Sequence, residues 1–476
     1  MSSVDSDRRR QLPAVDRVLA DPRLRPLLSL YGSTALTTQV RDLLAALRLE
    51  IESGRLDEAT LIQRLGSLPD ELETTLAVRF GPPLRRVLNA SGIFLHTNLG
   101  RTPLPVEVAE GLSALSTAAC DLEIDLSTGR RGERSGRLEA LLTALSGAEA
   151  ARVTNNSAAA LVLALHVLAD GRDVIVSRGE QVEIGGSFRI PDILAAAGAR
   201  VIEVGTTNRT RLADYEGAIG PTTAVLLKVH ASNFRISGFV ESVEAPALAD
   251  LSRRHGLVLI ADEGAGLLRR HAAPAFAGHP SMSELLASGC DLVIGSGDKL
   301  LGGPQSGLLL GRRELVERCG RHPLYRALRP GRLVTAALDG VLRRQLAGRP
   351  LPVERLWSEP EALRRRLVSL SLRLNAEILP APAFVGGGAA PEVPIAGEAL
   401  ALPADEAFVA RLRRGALDPS PLPPVPPVPS IPPIPPVIGA LREGKFWLDL
   451  RTIDPLDDEV LALAVERARD LPGPED

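Results

Sequence analysis

The sequence predicts an α/β protein: a mostly parallel β-sheet with helices on both faces, a small helical N-terminal domain and a smaller α+β C-terminal domain. Three observations predict it. Six short, apolar, β-branched-rich runs occur before about residue 340: "DVIVSRG", "ARVIEVG", "TAVLLKVH", "GLVLIADEGAG", "CDLVIGSGDK" and "SGLLLGR". Helical stretches such as "SAAALVLALHVLAD" and "PALADLSRRHG" separate them, and continuous apolar runs alternating with helices mark a parallel sheet buried on both sides. Upstream, Leu, Val and Ala recur instead at i, i+3, i+4 and i+7, the spacing of amphipathic helices.

Taken in order, "LPAVDRVLADPRLRPLLSLYG", "TALTTQVRDLLAALRLEIESG" and "LDEATLIQRLGSL" are the helical pieces of a domain expected over residues 1–76. "RFGPPLRRVLNASG" reads as a linker, because Gly81, Pro82 and Pro83 break a helix. The sheet-forming runs place a large domain over 77–340. A small C-terminal domain is expected over 341–476, with a helix in "EPEALRRRLVSLSLRLNAEIL" and a strand in "KFWLDLRTI". Between these two lies Pro419–Val437, "PSPLPPVPPVPSIPPIPPV", too dense in proline for helix or sheet and expected as a polyproline II or disordered spacer.

Composition excludes several classes of function. With 45% hydrophobic and 24% charged residues, the 476-residue chain has the balance of a soluble globular protein. A net charge of −3 gives no polybasic argument for nucleic acid. Cys120, Cys290 and Cys319 are odd in number and lack CxxC spacing, so neither a disulfide framework nor a metal site is expected. The polar "MSSVDSDRRRQLP" has no signal-peptide core, and no apolar run approaches the roughly 20 residues that span a bilayer. The expected location is the cytoplasm. There is no GxxxxGK[ST] phosphate loop, HExxH or GxSxG, and "GSG" at Gly295–Gly297 lacks the third glycine of a dinucleotide site.

Lysine usage points to the chemistry. Of 55 Lys and Arg residues only Lys228, Lys299 and Lys445 are lysines. A neutral amine can attack a carbonyl, whereas a guanidinium cannot. Lys299 lies just past a predicted strand, with Ser296 and Asp298 beside it in "SGDK". Asp262 ends another strand, His230 and Asn233 follow a third, and Asn155, Asn156 and Ser157 open a helix. Ligands of parallel sheets bind beyond the carboxyl ends of the strands. Together these residues suit pyridoxal 5′-phosphate (PLP). It needs a lysine amine for its aldehyde carbon, a carboxylate for its pyridine nitrogen, and a helix N-terminus for its phosphate. Each residue also has an ordinary reading: Asp262, Asn155 and Asn156 as helix caps, His230 as a core histidine, Ser296 and Asp298 as turn residues.

Longer stretches carry a resemblance. "LNASGIFLHTNLGRTPL", "DLEIDLSTGRRGERSG", "TNNSAAA", "VSRGEQVEIGGSFRIPDI", "EVGTTNRT", "KVHASNFRISGF", "GSGDKLLGGPQSG" and "LYRALR" resemble the bacterial selenocysteine synthases, the L-seryl-tRNA(Sec) selenium transferases. "LPAVDRVLADPRLRPLL" near the start and "PPVIGALREGKFWLDLRTI" near the end extend the resemblance over nearly the whole chain. The proline tract is the departure from it.

The resemblance implies a fold-type-I PLP enzyme that replaces the hydroxyl of serine esterified to tRNA(Sec) with selenium from selenophosphate. It implies Lys299 as the cofactor-bonding lysine, Asp262 as the partner of the pyridine nitrogen and Asn233 as the ligand of the phenolic oxygen. Ser296 joins the helix start at Asn155–Ser157 around the phosphate. Lys299 or His230 would supply the proton for the leaving hydroxyl, and Asp298 would orient Lys299.

Selenophosphate is an anion, and Arg101, Arg326 and Arg329 are the residues expected to hold it. The last two, three apart in "YRALR", are expected to share a helix face. The N-terminal domain is the implied tRNA reader, through local clusters such as Arg8–Arg10. Further implied are a homo-oligomeric ring of dimers and selenophosphate synthetase as a partner. Two other readings stay open at this point: a tRNA-independent PLP β-lyase acting on a small amino acid, and a non-catalytic RNA-binding relative.

Overall fold

A computed structural model of the chain describes residues 9–81, 83–134, 136–184, 188–234, 236–390, 393–415 and 434–470. Most of the proline tract, and Arg8, lie outside the described residues. The chain divides into two compact units. One takes in the chain up to Val87 with the stretch Ala410–Pro436, and the other takes in Leu88–Val409 with the stretch from Val437.

The first unit is helical. Its main helices are α1 (Arg25–Glu52), α2 (Glu58–Gly66) and α3 (Leu68–Phe80). The α1 path breaks at Gly32, whose φ of 79° and ψ of 162° are not helical. Asp57 caps α2 by accepting from the Thr60 amide at 2.7 Å. The apolar stripes read from the sequence meet in one core, in which Leu36, Val40, Leu44, Leu47, Ile51, Leu61, Leu72 and Leu76 are buried. Helix α3 is an addition to the expected set.

The second unit is built on seven strands: β1 (Ala150–Thr154), β2 (Asp173–Ser177), β3 (Arg200–Val204), β4 (Thr223–Val229), β5 (Val258–Asp262), β6 (Leu292–Ser296) and β7 (Gly307–Gly311). Their order is β1-β7-β6-β5-β4-β2-β3. All neighbours run parallel except β7, which is antiparallel to both β6 and β1. All six predicted runs are strands here, and β1 is a seventh. Two apolar clusters cover the two faces. One includes Leu226, Leu259, Val293 and Leu308, the other Val225, Ile260, Ile294 and Leu309. Adjacent residues of one strand thus point to opposite, equally dry faces, and this explains the continuous apolar runs.

The C-terminal residues add the helices Pro360–Leu374 and Asp458–Asp470 and a four-stranded antiparallel sheet. Its strands are Glu377–Pro380, Glu398–Pro403, Ala440–Arg442 and Lys445–Leu448. The predicted helix through "NAEIL" ends earlier, because Asn375 adopts a left-handed conformation at φ 46° and the chain turns into a strand. A short strand, Phe384–Gly386, pairs in parallel with Ile93–Leu95. Among the described residues, no helix is long and apolar enough to cross a membrane.

Candidate active site

Strand register assembles the site. Val229 of β4 pairs with Asp262 of β5, and Asp262 pairs with Ile294 of β6. Two residues on, Ser296 pairs with Gly307, which pairs with Thr154 at the end of β1. The strand ends therefore carry His230, Asp262, Ser296 and the start of helix α4 (Ser157–Ala169) along one edge. A cavity of about 520 Å³ lies there, of the size that small-molecule sites occupy. Its walls bring together Arg101, Asn156, Ser157, His230, Asn233, Asp262, Ser296, Asp298 and Lys299.

The three lysines have separate fates. Lys228 is ion-paired with Glu180 at 2.5 Å, and Lys445 with Glu377 at 2.7 Å. Lys299 is 8% exposed, and its Nζ donates to the Gly264 carbonyl at 2.8 Å. Burial, then the Arg101 charge, lowers its pKa, against Asp298, Asp262 and Glu263, so the amine lies closer to its neutral, nucleophilic form. Two glycines make room for this arrangement. A Cβ on Gly388 (φ 85°) would sit 2.6 Å from Lys299 Nζ. A Cβ on Gly266 (φ 75°) would sit 1.9 Å from the Ser296 carbonyl oxygen.

Asp262 is buried, and burial pushes its carboxyl up to about 7, with Glu263 adding to the rise and Lys299 opposing it. Its Oδ1 is buried with no hydrogen-bond partner among the described residues, as is Asn233 Oδ1. Asn233 Nδ2 donates to the Glu183 carbonyl at 2.9 Å. Asn156 caps α4, its Oδ1 accepting from the Ala159 amide at 2.8 Å, which leaves Ser157 and Ala158 at the cavity wall. Ser296 Oγ donates to Asp298 Oδ1 at 2.6 Å. Arg101 holds a left-handed backbone at φ 68° and donates to the Gly387 carbonyl. Such strain persists where surrounding structure enforces it, and functional sites are where it collects.

The remaining expected residues lie elsewhere. Asn155 is exposed and outside the cavity walls; its amide donates to the Leu328 carbonyl at 2.8 Å. Arg326 lies in helix α5 (Pro323–Leu328), which precedes α6 (Arg332–Leu346), and Arg329 follows as an extended residue at ψ 145°. The shared helix face is therefore not formed. Pro330 comes next and disfavours the helical conformation at the residue before it. Neither arginine lines this chain's cavity. Arg329 lies 3.4 Å from Glu123, which also pairs with Arg131 and Arg134.

Sequence reasoning missed Thr97, Ser232, Gln305, Gly387 and Gly388 among the cavity walls. Gln305 stands inside "GSGDKLLGGPQSG", and the two glycines in the run "VGGGAA". It also missed what lies behind His230. Its Nε2 is 3.1 Å from His279 Nδ1, and His279 Nε2 is 2.8 Å from Glu263 Oε1. Burial, then His279, pushes His230 down to about 4.

This donor set fits PLP. An unpartnered buried carboxylate oxygen awaits a protonated ring nitrogen, a depressed lysine amine faces the same cavity, and a helix N-terminus can receive a phosphate. Among solved structures, D-glucosaminate-6-phosphate ammonia-lyase superposes with a TM-score of 0.56 at 20% identity, covering 81% of this chain and 97% of that one. At that identity the likeness concerns the fold. Sequence relatives are closer. The L-seryl-tRNA(Sec) selenium transferases of Geotalea uraniireducens and Serratia proteamaculans are each 40% identical over 95% of this chain, and cover 97% and 98% of their own lengths. That of Moorella thermoacetica is 40% identical over 96% of both. The model of the selenocysteine synthase N-terminal region matches residues 9–48, and the L-seryl-tRNA selenium transferase model matches residues 87–454. From the N-terminal helices through the lysine cavity to the last sheet, the chain belongs to the L-seryl-tRNA selenium transferase family.

Proposed function

We propose that the chain converts seryl-tRNA(Sec) to selenocysteinyl-tRNA(Sec) with selenophosphate as donor, at the cavity where Lys299 and Asp262 meet. The observation that carries this reading is their shared burial at adjacent strand ends, in a chain of this family. Bound PLP supplies an electron sink that makes the seryl α-proton removable. Lys299 would bond the cofactor's aldehyde carbon, Asp262 would meet its ring nitrogen, Asn233 its phenolic oxygen, and Ser157 with the start of α4 its phosphate.

Displaced from the aldehyde carbon by the seryl amino group, Lys299 Nζ would take the α-proton as a neutral amine and, as the ammonium so formed, hand a proton to the departing hydroxyl, which leaves as water. The selenium of selenophosphate would then add to the β-carbon, its P–Se bond breaking with the phosphoryl group passing to water, and the α-carbon would regain a proton. Asp298 lines the cavity beside Lys299 and favours its charged form, which suits the donor half of that cycle. Arg101 places a guanidinium at the same wall, where the anionic donor needs one. Arg326 and Arg329 serve the donor only in an oligomer that brings them to another copy's cavity. The N-terminal helices dock the tRNA. Their ten Arg against twelve Asp and Glu over residues 1–76 give no bulk attraction, so docking rests on shape and local arginines. A ring of dimers, working in the cytoplasm with selenophosphate synthetase as supplier, completes the proposal.

The test is to incubate the protein with PLP, seryl-tRNA(Sec) and selenophosphate and to look for selenium on the tRNA. Absence of selenium on the tRNA, in protein whose visible absorbance shows PLP bound, defeats the proposal.

A further inference from the structure

We propose that Glu263 and His279 form a positioning pair that fixes the tautomer of His230, so that His230 faces the cavity as a proton acceptor through Nδ1.

The hydrogen-bonded chain starts at the buried end. Glu263 is wholly buried, and both its oxygens already accept backbone N–H groups: Oε2 from Gly266 at 2.6 Å and Oε1 from Leu267 at 3.2 Å. Both oxygens already act as acceptors, and Oε1 meets the imidazole as an acceptor too. His279 Nε2, 2.8 Å from Oε1, is therefore the nitrogen that carries hydrogen. In neutral His279 the other nitrogen, Nδ1, has only a lone pair to offer. His230 Nε2 lies 3.1 Å from it and must bring the hydrogen. That leaves His230 Nδ1 as the unprotonated nitrogen. It has no hydrogen bond to any described residue, and His230 is on the cavity wall whereas His279 is behind it. The two rings meet edge to face, 4.2 Å apart at 74°, which fixes the plane of His230 as well as its tautomer. Among the described residues no group of three or more His, Cys, Asp and Glu is arranged to hold a metal ion.

The charges facing His230 act in both directions. Lys228, two residues before it, opposes a proton there, as His279 does when it carries a charge, and Glu263 favours one. Asp262, Asp298, Lys299 and Arg101 share the cavity. The consequence for the reaction, which rests on the function proposed above, is a division of labour. His230 has committed its one hydrogen to His279 and cannot protonate the leaving hydroxyl in the resting site. That task falls to Lys299, and His230 orients the seryl hydroxyl by accepting from it.

The tautomer is tested without tRNA. The chain has seven histidines, so histidine-selective ¹⁵N labelling of the PLP-loaded full-length protein gives a solid-state spectrum simple enough to assign, with His230 identified by the signal lost in His230→Asn. At neutral pH His230 is expected with Nε2 protonated and Nδ1 bare. His279→Phe removes the acceptor and should populate the Nδ1-protonated form. His279→Asn keeps an acceptor oxygen near the Nδ1 position and should restore the original tautomer. In turnover, His279→Phe should lower kcat roughly tenfold with KM for seryl-tRNA unchanged, and His279→Asn should recover most of it. A protonated Nδ1 in the wild type, or a tautomer indifferent to His279→Phe, overturns the positioning pair. A tautomer that responds while kcat does not overturns the catalytic role alone. Absence of turnover in the wild type sinks the proposed reaction and leaves the tautomer result standing.

Discussion

Replacing Asp262 by Asn should alter stability and cofactor retention in opposite directions. In the cofactor-free protein Asp262 is a fully desolvated carboxyl whose pKa is raised from 3.8 to about 7. The folded state then holds the proton more tightly than the unfolded chain does. The group's favourable contribution is complete below about pH 3.8 and is lost as pH rises towards 7. Over the full window this shift corresponds to about 4 kcal/mol, of which about 2.5 kcal/mol falls between about pH 5 and about pH 8. Asn titrates nowhere in that range. The difference in unfolding free energy between Asp262→Asn and wild type should therefore grow by about 2.5 kcal/mol in favour of the variant across that interval. Urea unfolding of both cofactor-free proteins, followed by circular dichroism at the two pH values, reads it directly.

With PLP bound the order reverses. A positive ring nitrogen gives the carboxylate its missing partner, so the wild type gains stability that the Asn variant cannot match. Parallel pH dependences for the two cofactor-free proteins would show that position 262 is solvated or already partnered, and the assignment of its unpaired Oδ1 to the ring nitrogen would fall with it.

Three further outcomes are expected. Gly388→Ala places a methyl 2.6 Å from Lys299 Nζ at a φ of 85°; a penalty of about 1.5 kcal/mol makes retention of PLP roughly tenfold weaker, measured by visible absorbance on dilution. Arg101→Ala removes a charge that lowers the Lys299 pKa, so the pH midpoint for appearance of the lysine-bound cofactor band should move upward, and an unmoved midpoint would detach Arg101 from the site. Deleting residues 1–76 leaves every residue of the cavity wall in place, so the visible band should persist while turnover of seryl-tRNA is lost; retained turnover of seryl-tRNA would take the docking role away from these helices.

The inner strands were legible because each is buried on two faces and so reads as an unbroken apolar run. The exception is β1, "AARVT", whose two alanines and arginine leave only Val153 and Thr154 as β-branched residues and which reads as a lead-in to α4. The site residues that follow strands, Lys299, Asp262, His230 and Asn233, were legible for the same reason: a parallel sheet collects its strand ends on one edge. Gly388 was not, because its place against Lys299 depends on Phe384–Gly386 pairing with Ile93–Leu95, some 290 residues earlier in the chain. No local pattern announces a pairing over that distance. His279 failed to register for a similar reason. It lies in a loop, and its role comes from Glu263, which sits next to a residue already noticed for itself.

The missed residues have one property in common: they act on groups that the sequence did reveal. Gly388 clears the space into which the Lys299 amine projects, and His279 turns His230. Sequence reading finds the reacting groups because their chemistry demands particular residue types. It does not find the groups that position them, because a glycine or a second histidine satisfies many unrelated demands. Asp262 and Lys299 make the point energetically. Burial raises the pKa of one and lowers that of the other, and the charge of each opposes the shift of its partner. Neither shift arises from the residue itself; both arise from the dry edge at which the sheet register places the pair. A ligand with a cationic ring nitrogen and an electrophilic carbonyl relieves both at once, and PLP is such a ligand.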